Sequence, residues 1–494
     1  MESETFRGSD AVSSLAVEQR GIEYIDEDKR HGRPNNQFTI RFSPVIYLAP
    51  IVVGGIAIPL GLGLAGSVTA IVLGNILGAA GTAACSAMGP RLGMPQLTMS
   101  RSAFGYRGNY LPAALSTLLF IGYFIVGTIL GAQSLADLFH APYVPIAIIV
   151  AALSILIAVF GYNLLHVFGR WITAISIAML IAVTIVLALH GTGTGAAGTL
   201  HGGDYWLTWL LEFTVVFGYT VSWAPYASDY SRYLPHSTKR RATFGWAFSG
   251  LFIGTTWMMI VGATVLTINP TGTVLSAFGR ALPGPLLVIV LIVFGIAALP
   301  HNAANLYSNA MASMTWDLPL KRTVTVVVGG IIGGVLAIFL GGPGFVNNFE
   351  GFLFLVTYYV MPWIAILGID FYWNHRRGHA YPDIDNFYLR HGGRFGEVRW
   401  LGLVAFVVGI GVSVPFMATT FYTGPVGHAL GGADLSYFVS FIVAGVIYLA
   451  LSMATSRDAP RQVGLAQASE SRKIKWPRQL TPGSAPEAAR RSYE

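Results

Sequence analysis

Three polar side chains interrupt an apolar segment late in the chain. His301, Asn302 and Asn305 stand within residues 299–309, which read LPHNAANLYSN. Amides donate and accept hydrogen bonds, and a histidine ring gains or loses a proton near its unperturbed pKa of about 6.5. A helix would place Asn305 about one turn from the other two. Inside a membrane such residues are costly unless they face a cavity or partner helices, so they predict a polar binding site or interhelical hydrogen bonds.

Two carboxylates, Glu212 and Glu350, also lie in apolar surroundings. With His301 they are the candidate proton carriers of the chain. No His-Glu-x-x-His motif and no cluster of carboxylates stands in the apolar segments, which disfavours a membrane-embedded enzyme. Cys85 is the single cysteine, so we expect neither an intrachain disulfide nor a thiolate metal site. No segment resembles the filter loop or charged ring of a channel.

The composition indicates a membrane protein. Charged residues make up only 11% of the 494 residues, and hydrophobic residues make up 54%. A soluble domain carries about 25% charged residues. Residues 45–90, 141–169 and 171–203 contain no Asp, Glu, Lys or Arg. Because one transmembrane helix needs about 20 apolar residues, each run predicts one or two spans. The predicted class is an all-α polytopic membrane protein.

Twelve spans are predicted, numbered here in chain order. They lie near residues 44–66, 68–88, 110–136, 143–161, 171–190, 207–227, 244–268, 285–310, 324–341, 349–372, 400–420 and 435–454. The connections on one side of the membrane, together with both termini, hold 29 of the 30 lysines and arginines, and the other side holds only Arg280. By the positive-inside rule the basic side is cytoplasmic, so we expect a multi-pass protein of the plasma (inner) membrane with both termini in the cytoplasm.

The segments outside the spans are polar. Residues 1–42 lack the apolar core of a cleavable signal peptide and predict a cytoplasmic N-terminal segment before a transmembrane domain at 43–455. Residues 456–494 are basic and contain four prolines, which predicts a disordered tail near anionic membrane lipid or, alternatively, an inert tail. The net charge of +7 is thereby explained, and no nucleic-acid partner is expected.

Two spans contain residues that interrupt helices. In span 1, Gly54 and Gly55 stand between Pro50 and Pro59, and in span 6 residues 217–225 read FGYTVSWAP. Transporters use unwound helix segments near the bilayer midplane to build their sites, which makes Gly54 a candidate binding residue. The two interruptions lie five spans apart, as an inverted five-plus-five repeat requires. The alternative is a simple kink, since glycine and proline are common in membrane helices.

The most specific sequence signal surrounds the second interruption. Residues 215–219 read VVFGY, and residues 222–235 read SWAPYASDYSRYLP. These residues resemble the nucleobase:cation symporter-1 family, and most closely its purine–cytosine permease branch. The resemblance covers about residues 20–455. Shorter matches are GPRLG at 89–93, SRSAFGY at 100–106, GAQ at 131–133, NLYS at 305–308, PW at 362–363 and DFY at 370–372.

The resemblance implies both a fold and an activity. The fold is LeuT-like: ten helices form two inverted repeats, here about 44–190 and 207–372, and two additional helices follow at about 400–454. One bundle rocks against a scaffold to give alternating access. The implied activity is secondary active import of a nucleobase, a purine or cytosine, by symport with Na⁺ or H⁺.

A flat heterocycle needs aromatic faces and hydrogen-bonding groups at its rim. Trp223 matches the family's stacking tryptophan, Asn305 matches the amide that bonds the substrate edge, and the adjacent Ser222 can bond the base. Tyr123 and Gly127 replace a Trp–Asn pair that often faces the substrate in the branch. The tyrosine can still stack, and the glycine is expected to open space on the same face. This departure leaves another heterocycle open as the substrate: uracil, allantoin, a hydantoin, thiamine or pyridoxine.

The coupling ion is predicted from span 8. Family members that use Na⁺ have paired hydroxyls five and six residues before the substrate amide, where this chain has Pro300 and Leu299. Neither side chain can coordinate a cation, and a hard cation prefers several oxygen ligands. We therefore expect no bound metal cofactor and a co-transported proton, carried by His301, Glu212 or Glu350. Na⁺ coupling remains the alternative.

Overall fold

The structure is a computed structural model that describes residues 21–458, apart from 161, 318–319, 343, 376–383 and 420–421. Nearly all of the predicted basic tail, residues 459–494, lies outside the described residues, as do residues 1–20. The described part is helical, with one isolated antiparallel β-bridge between Ala418 and Thr423.

Nine helices in the described residues are long and apolar enough to cross a membrane. They correspond to predicted spans 2, 3, 4, 5, 7, 8, 9, 10 and 12, with the bounds Leu64–Leu92, Tyr110–Phe139, Tyr143–Phe160, Trp171–Leu189, Arg240–Ile268, Gly284–Met314, Arg322–Leu340, Phe345–Asn374 and Ser436–Thr455. The other three predicted spans are also helical. Span 1 is a bent pair of helices, span 6 is the helix Gly202–Val221 with two short continuations, and span 11 is the shorter apolar helix Trp400–Phe416.

The outer surface of the bundle is apolar. Leu189 in span 5 is 82% exposed, and Phe339 in span 9 is 78% exposed. Isolated large apolar side chains are common on soluble proteins, but here they recur along whole helices of spans 4, 5 and 9. A surface of this kind is stable against lipid tails and supports the membrane assignment.

Span 1 breaks earlier than the sequence predicted. Its two helices, Asn36–Val45 and Leu48–Gly54, meet at an angle of 72°. The backbone is extended at Tyr47, so the break lies at Ile46 and Tyr47, just after Pro44. The predicted interruption at Gly54 and Gly55 is instead the end of the second helix.

The first half of span 1 was missed because it is polar. Arg41 is fully buried there and donates to the Ala227 carbonyl at 2.5 Å, where span 6 resumes. A buried guanidinium needs such partners. A helix that buries polar side chains inside the protein leaves no hydrophobic run for a sequence search to find.

Span 6 breaks where predicted. The helix Gly202–Val221 ends just before Trp223, a single 3₁₀ turn covers Ala224–Tyr226, and the helix resumes over Ala227–Ser231. Pro225 supplies the reason, since it has no N–H for an α-helical bond. The break places Trp223 in the interior, where it is 3% exposed.

The remaining spans hold the two broken ones in place. Span 8 packs along span 3 and also against spans 4 and 9. Span 2 packs against spans 6 and 7, and both halves of span 1 pack against span 7. The turn Ser43–Val45 just before the break of span 1 packs against span 8, and Tyr226 at the break of span 6 packs against Phe120 of span 3.

Two glycines allow spans 1 and 7 to cross closely. A Cβ on Gly262 would collide with the Ile51 carbonyl oxygen, and a Cβ on Gly54 would collide with the Met259 backbone. Close backbone approach at small residues is a general way in which membrane helices pack. The crossing fixes the second half of span 1 against a long, continuous helix.

We predict that Gly262→Ala lowers the thermal stability of the purified protein, by about 1–3 kcal/mol, because the added methyl must push two backbones apart. Gly245→Ala is the matched control in the same helix, since a Cβ there meets nothing within 4 Å. The control is expected to be neutral or slightly stabilising. Equal melting temperatures for the two variants in detergent would contradict the close crossing.

Candidate functional site

An aromatic cluster surrounds His301 at the centre of the bundle. The Tyr47 ring stacks on the histidine with a centroid distance of 4.0 Å and an interplanar angle of 26°. Trp223 and Tyr123 approach it edge-on, at 5.9 and 6.3 Å. All four side chains are buried. The cluster thus joins the two broken spans to spans 3 and 8, and it contains two residues predicted to face the substrate.

Asn305 and His301 form one hydrogen-bonded unit on span 8. The Asn305 Nδ2 lies 3.0 Å from the His301 Nε2 and donates to the His301 carbonyl at 2.9 Å. The Asn305 Oδ1 accepts from the Tyr226 hydroxyl of span 6. The His301 Nδ1 lies 3.0 Å from the Pro44 carbonyl oxygen at the break of span 1. The predicted amide therefore sits where spans 1, 6 and 8 meet.

Ser222 and Tyr123 also meet across the site. The Ser222 Oγ is hydrogen-bonded to the Tyr123 hydroxyl at 2.7 Å and to the Tyr219 carbonyl at 2.6 Å. Phe352 of span 10 packs edge-on against the Tyr123 ring at 5.1 Å. These contacts orient the tyrosine and bring Ser222, Tyr123 and Trp223 together, as the sequence predicted.

The structure fills the space that Gly127 was expected to open. A Cβ on Gly127 would collide with the Asn302 Oδ1 and would lie 2.9 Å from the His301 Cδ2. The Asn302 Nδ2 is 3.0 Å from the Thr128 Oγ1 and 3.3 Å from the Ser154 Oγ. Asn302 thus ties span 8 to spans 3 and 4. The expectation of free space was wrong because a residue on another helix, invisible in the local pattern, occupies it.

Three further candidates lie away from the cluster. Gly54 packs against the Met259 backbone of span 7 rather than against the rings. Glu212 is fully buried, and its Oε2 accepts from the Ala57 backbone N–H at 3.1 Å, in the turns that follow span 1. Glu350 is only partly buried and lies close enough to Glu212 for the two carboxyls to interact electrostatically. The proton-carrier candidates therefore occupy two separate places: His301 in the cluster and the carboxyl pair outside it.

Three residues of the cluster were not predicted: the Pro44 carbonyl, Tyr47 and Tyr226. Tyr226 stands three residues after Trp223 in the most specific sequence motif, so its position beside the break was a usable signal. Pro44 and Tyr47 lie at a break that was predicted at the glycines further on. The proline, with an aromatic residue three positions later, was the signal there.

The chemistry of the cluster suits a flat, uncharged ligand. Its side chains offer aromatic faces, hydroxyls and one carboxamide. The ring contacts and hydrogen bonds described above for His301 and Asn305 involve no Asp, Glu, Lys or Arg. The described residues contain no group of three or more His, Cys, Asp or Glu side chains that could hold a metal ion. Leu299 and Pro300, which carry no side-chain oxygen, directly precede His301 in span 8.

A bundle with two broken helices around a buried polar site has the construction of a secondary transporter. Residues 24–440 match the family model described as permease for cytosine/purines, uracil, thiamine, allantoin. The chain belongs to this family, the purine–cytosine permease branch of the nucleobase:cation symporter-1 transporters. It is therefore a multi-pass membrane transporter and not an enzyme.

Individual relatives agree with the family. The Bacillus subtilis protein named "Putative purine-cytosine permease YxlA" is 32% identical over 461 residues, covering 88% of this chain and 96% of that protein. The purine-cytosine permease FCY2 of Saccharomyces cerevisiae is 25% identical, covering 88% of this chain and 86% of its own.

A solved structure shares the fold. The structure of Mhp1, a nucleobase-cation-symport-1 family transporter in a closed conformation with bromovinylhydantoin bound, matches with a TM-score of 0.73. It is 16% identical, and the match covers 90% of this chain and 97% of Mhp1. The predicted fold class, LeuT-like inverted repeats with additional helices, is confirmed.

We predict that Asn302→Ala lowers the stability of the transporter by about 0.6–2 kcal/mol, the value of an interhelical hydrogen bond in a membrane protein. Ligand affinity should change little, because the Asn302 Nδ2 is engaged with Thr128 and Ser154. Thermal unfolding and heterocycle binding by the purified variant measure the two effects. In a double-mutant cycle, Thr128→Ala should cost less stability in the Asn302→Ala background than in the wild type. A variant that melts like wild type but no longer binds would assign Asn302 to the substrate instead.

Proposed function

We propose that this transporter imports a nucleobase, a purine or cytosine, together with a proton by alternating access. The observation that carries the proposal is the cluster around His301, which gathers the Trp223 ring, the Tyr123 ring and the Asn305 amide in one buried place. Both permease relatives described above are named for purines and cytosine. The proposal extends their substrate class to this chain.

The binding mode follows from the shape of a base. Its two faces are apolar and polarisable, so stacking on the indole of Trp223 supplies attraction over a large area. Its edge carries donors and acceptors that would be left unpaired in the membrane interior without a partner. Asn305 and Ser222 can each donate and accept, and they serve that edge. The site is closed in this structure, so a base enters only when spans 1 and 6 separate from spans 3 and 8.

A second substrate class is supported by the filled space beside Gly127. Asn302 and His301 occupy the face where many purine–cytosine permeases carry an asparagine on span 3. The rim contacts of this chain therefore differ from those implied by the family, which favours a differently substituted ring, such as uracil, allantoin, a hydantoin, thiamine or pyridoxine. Mhp1, the solved structure that shares the fold, has bromovinylhydantoin bound.

Proton coupling is supported by what stands at the break of span 1. Leu299 and Pro300 contribute no side-chain oxygen to a cation. The Pro44 carbonyl at the break has a ring nitrogen of His301 as its hydrogen-bond partner. A titratable group thus stands beside the break, where a cation would otherwise need oxygen ligands.

The proposed orientation of the transporter in the membrane rests on the distribution of its basic residues. Lysines and arginines are concentrated in alternate connections and in the terminal segments. This supports a plasma membrane transporter with both termini in the cytoplasm. Span 1 then runs outward and span 6 runs inward, as an inverted repeat requires.

Trp223→Ala is predicted to abolish base binding, because it removes the stacking face. The test is a thermal-shift screen of purified protein against purines, cytosine and the alternative heterocycles, since a bound ligand stabilises the native state. Trp206→Ala is the matched control: Trp206 lies on the same span and is 63% exposed. The control should retain the wild-type ligand profile. Unchanged binding by Trp223→Ala would place the substrate elsewhere, and the profile of the wild type decides between the two substrate classes.

Uptake into proteoliposomes is predicted to follow a pH gradient and to proceed without sodium. Radiolabelled base should accumulate when the outside is acidic and the medium contains only potassium salts, because the proton gradient supplies the driving force. Dissipating the gradient with a protonophore should abolish accumulation of the base above its external concentration. Accumulation that requires Na⁺ and ignores pH would refute proton coupling without affecting the proposed substrate.

A further inference from the structure

We infer that the hydrogen bond between Asn305 and His301 is the element that couples the base to the proton. This inference rests on the proposed function. The bond closes the site when both ligands are absent, and each ligand competes with it from one side. The base takes the Asn305 amide, and the proton takes the His301 Nε2.

The positions of the hydrogens follow from the partners. The Pro44 carbonyl oxygen can only accept, so the His301 Nδ1, at 3.0 Å, carries a hydrogen. In the neutral ring the Nε2 is then an acceptor, and it lies 3.0 Å from the Asn305 Nδ2, which can only donate. The Asn305 Oδ1 is left to accept from Tyr226. This assignment satisfies the contacts with Pro44, Asn305 and Tyr226 together.

A proton on the His301 Nε2 breaks this arrangement. The Nε2 becomes a donor that faces the Asn305 Nδ2, which is also a donor, so the two groups separate. The Asn305 Nδ2 still donates one hydrogen to the His301 carbonyl, and its other N–H is then free to bond the base. The Nε2–H has lost its former partner and can donate to an acceptor on the base, in competition with the Tyr123 backbone, which also lies within hydrogen-bonding reach of the ring. The proton comes from the aqueous side to which the site is open and leaves to the other side after the bundle has rocked.

The base produces the same change from the other direction. When an acceptor on its edge binds the Asn305 Nδ2, the His301 Nε2 loses its hydrogen-bond donor. An unpaired ring nitrogen in a buried site is costly, and a proton on that nitrogen restores a hydrogen bond, now to the base. That bond is charge-assisted and offsets the cost of burying the charge. Each ligand therefore raises the affinity for the other, and by linkage the two effects are equal.

Among the side chains that contact His301, none but the histidine itself changes charge near neutral pH. The titratable groups that face it are Tyr47 from span 1, Tyr123 from span 3 and, through Asn305, Tyr226 from span 6. Tyrosines ionise near pH 10 and stay neutral in the range of interest. Among the charged groups on the same spans, Arg41 donates to the Ala227 carbonyl, Asp229 accepts from Ser308 at 2.8 Å, and Glu212 accepts from the Ala57 N–H at 3.1 Å.

The test measures base affinity as a function of pH. Equilibrium binding of tritiated adenine and cytosine to purified wild-type protein is measured from about pH 5 to about pH 8, the range over which a histidine changes charge. Affinity should rise about tenfold toward acidic pH, the value of one hydrogen bond that involves a charged group. His301→Gln keeps a donor and an acceptor but cannot titrate, and its affinity should not vary with pH. His428→Gln, at an exposed histidine, is the matched control and should behave as wild type.

A second measurement needs no variant at position 301. In weakly buffered solution with a pH indicator, adding base to wild-type protein should cause the uptake of protons, and Trp223→Ala should cause none. Affinity that does not vary with pH in the wild type, an unchanged pH dependence in His301→Gln, or base binding without proton uptake would overturn the inference. Each of these outcomes still leaves a protein that binds bases. The absence of binding by wild type at every pH would instead overturn the proposed function itself.

Discussion

A helix that breaks inside a membrane leaves backbone carbonyls without their helical partners, and in hydrocarbon each unpaired group costs several kcal/mol. In this protein the break of span 1 is closed by a side chain from span 8: His301 bonds the Pro44 carbonyl. That contact fixes the histidine ring, the ring fixes Asn305, and Asn305 accepts from Tyr226 at the break of span 6. The two broken helices are thus joined through span 8, and His301, which satisfies the break of span 1, also belongs to the site.

This arrangement explains why the site contains so little charge. A closed state without ligand must satisfy its polar groups internally, and a carboxamide, an imidazole and several hydroxyls can do so for one another. The fixed charges near the broken spans are held at a distance by their own partners, as with Arg41 at the Ala227 carbonyl. The close crossing of spans 1 and 7 at Gly262 anchors one side of the break. Movement is therefore expected at the weaker side, where ring contacts and shared hydrogen bonds hold the cluster together.

Much of this could be read from the sequence. Long uncharged runs located the spans, Pro225 located the break of span 6, and the motif around Trp223 identified the family. Asn305 could be predicted as a binding residue, because an asparagine is costly in a membrane helix and because it matches the substrate amide of that family. These features are local, because each depends on the composition or the spacing of a single segment.

The parts that the sequence misplaced depend on contacts between segments. The break of span 1 lies after a polar half-helix, which is stabilised in the membrane by its buried partners. A search for hydrophobic runs does not find such a helix. The space beside Gly127 is filled by Asn302 from another span. Gly54 serves helix packing, and no local pattern distinguishes that role from a role in binding. Tyr47 reaches His301 only because the break turns the second half of span 1 by 72°.

The function proposed for this protein requires a base to bind within the cluster around His301. The decisive experiment is a structure of the protein with a bound purine or cytosine at acidic pH. We expect the base to be stacked on Trp223 near Tyr123, with the Asn305 amide at its edge and no longer bonded to the His301 Nε2. A base located elsewhere, with the Asn305–His301 hydrogen bond intact, would contradict it.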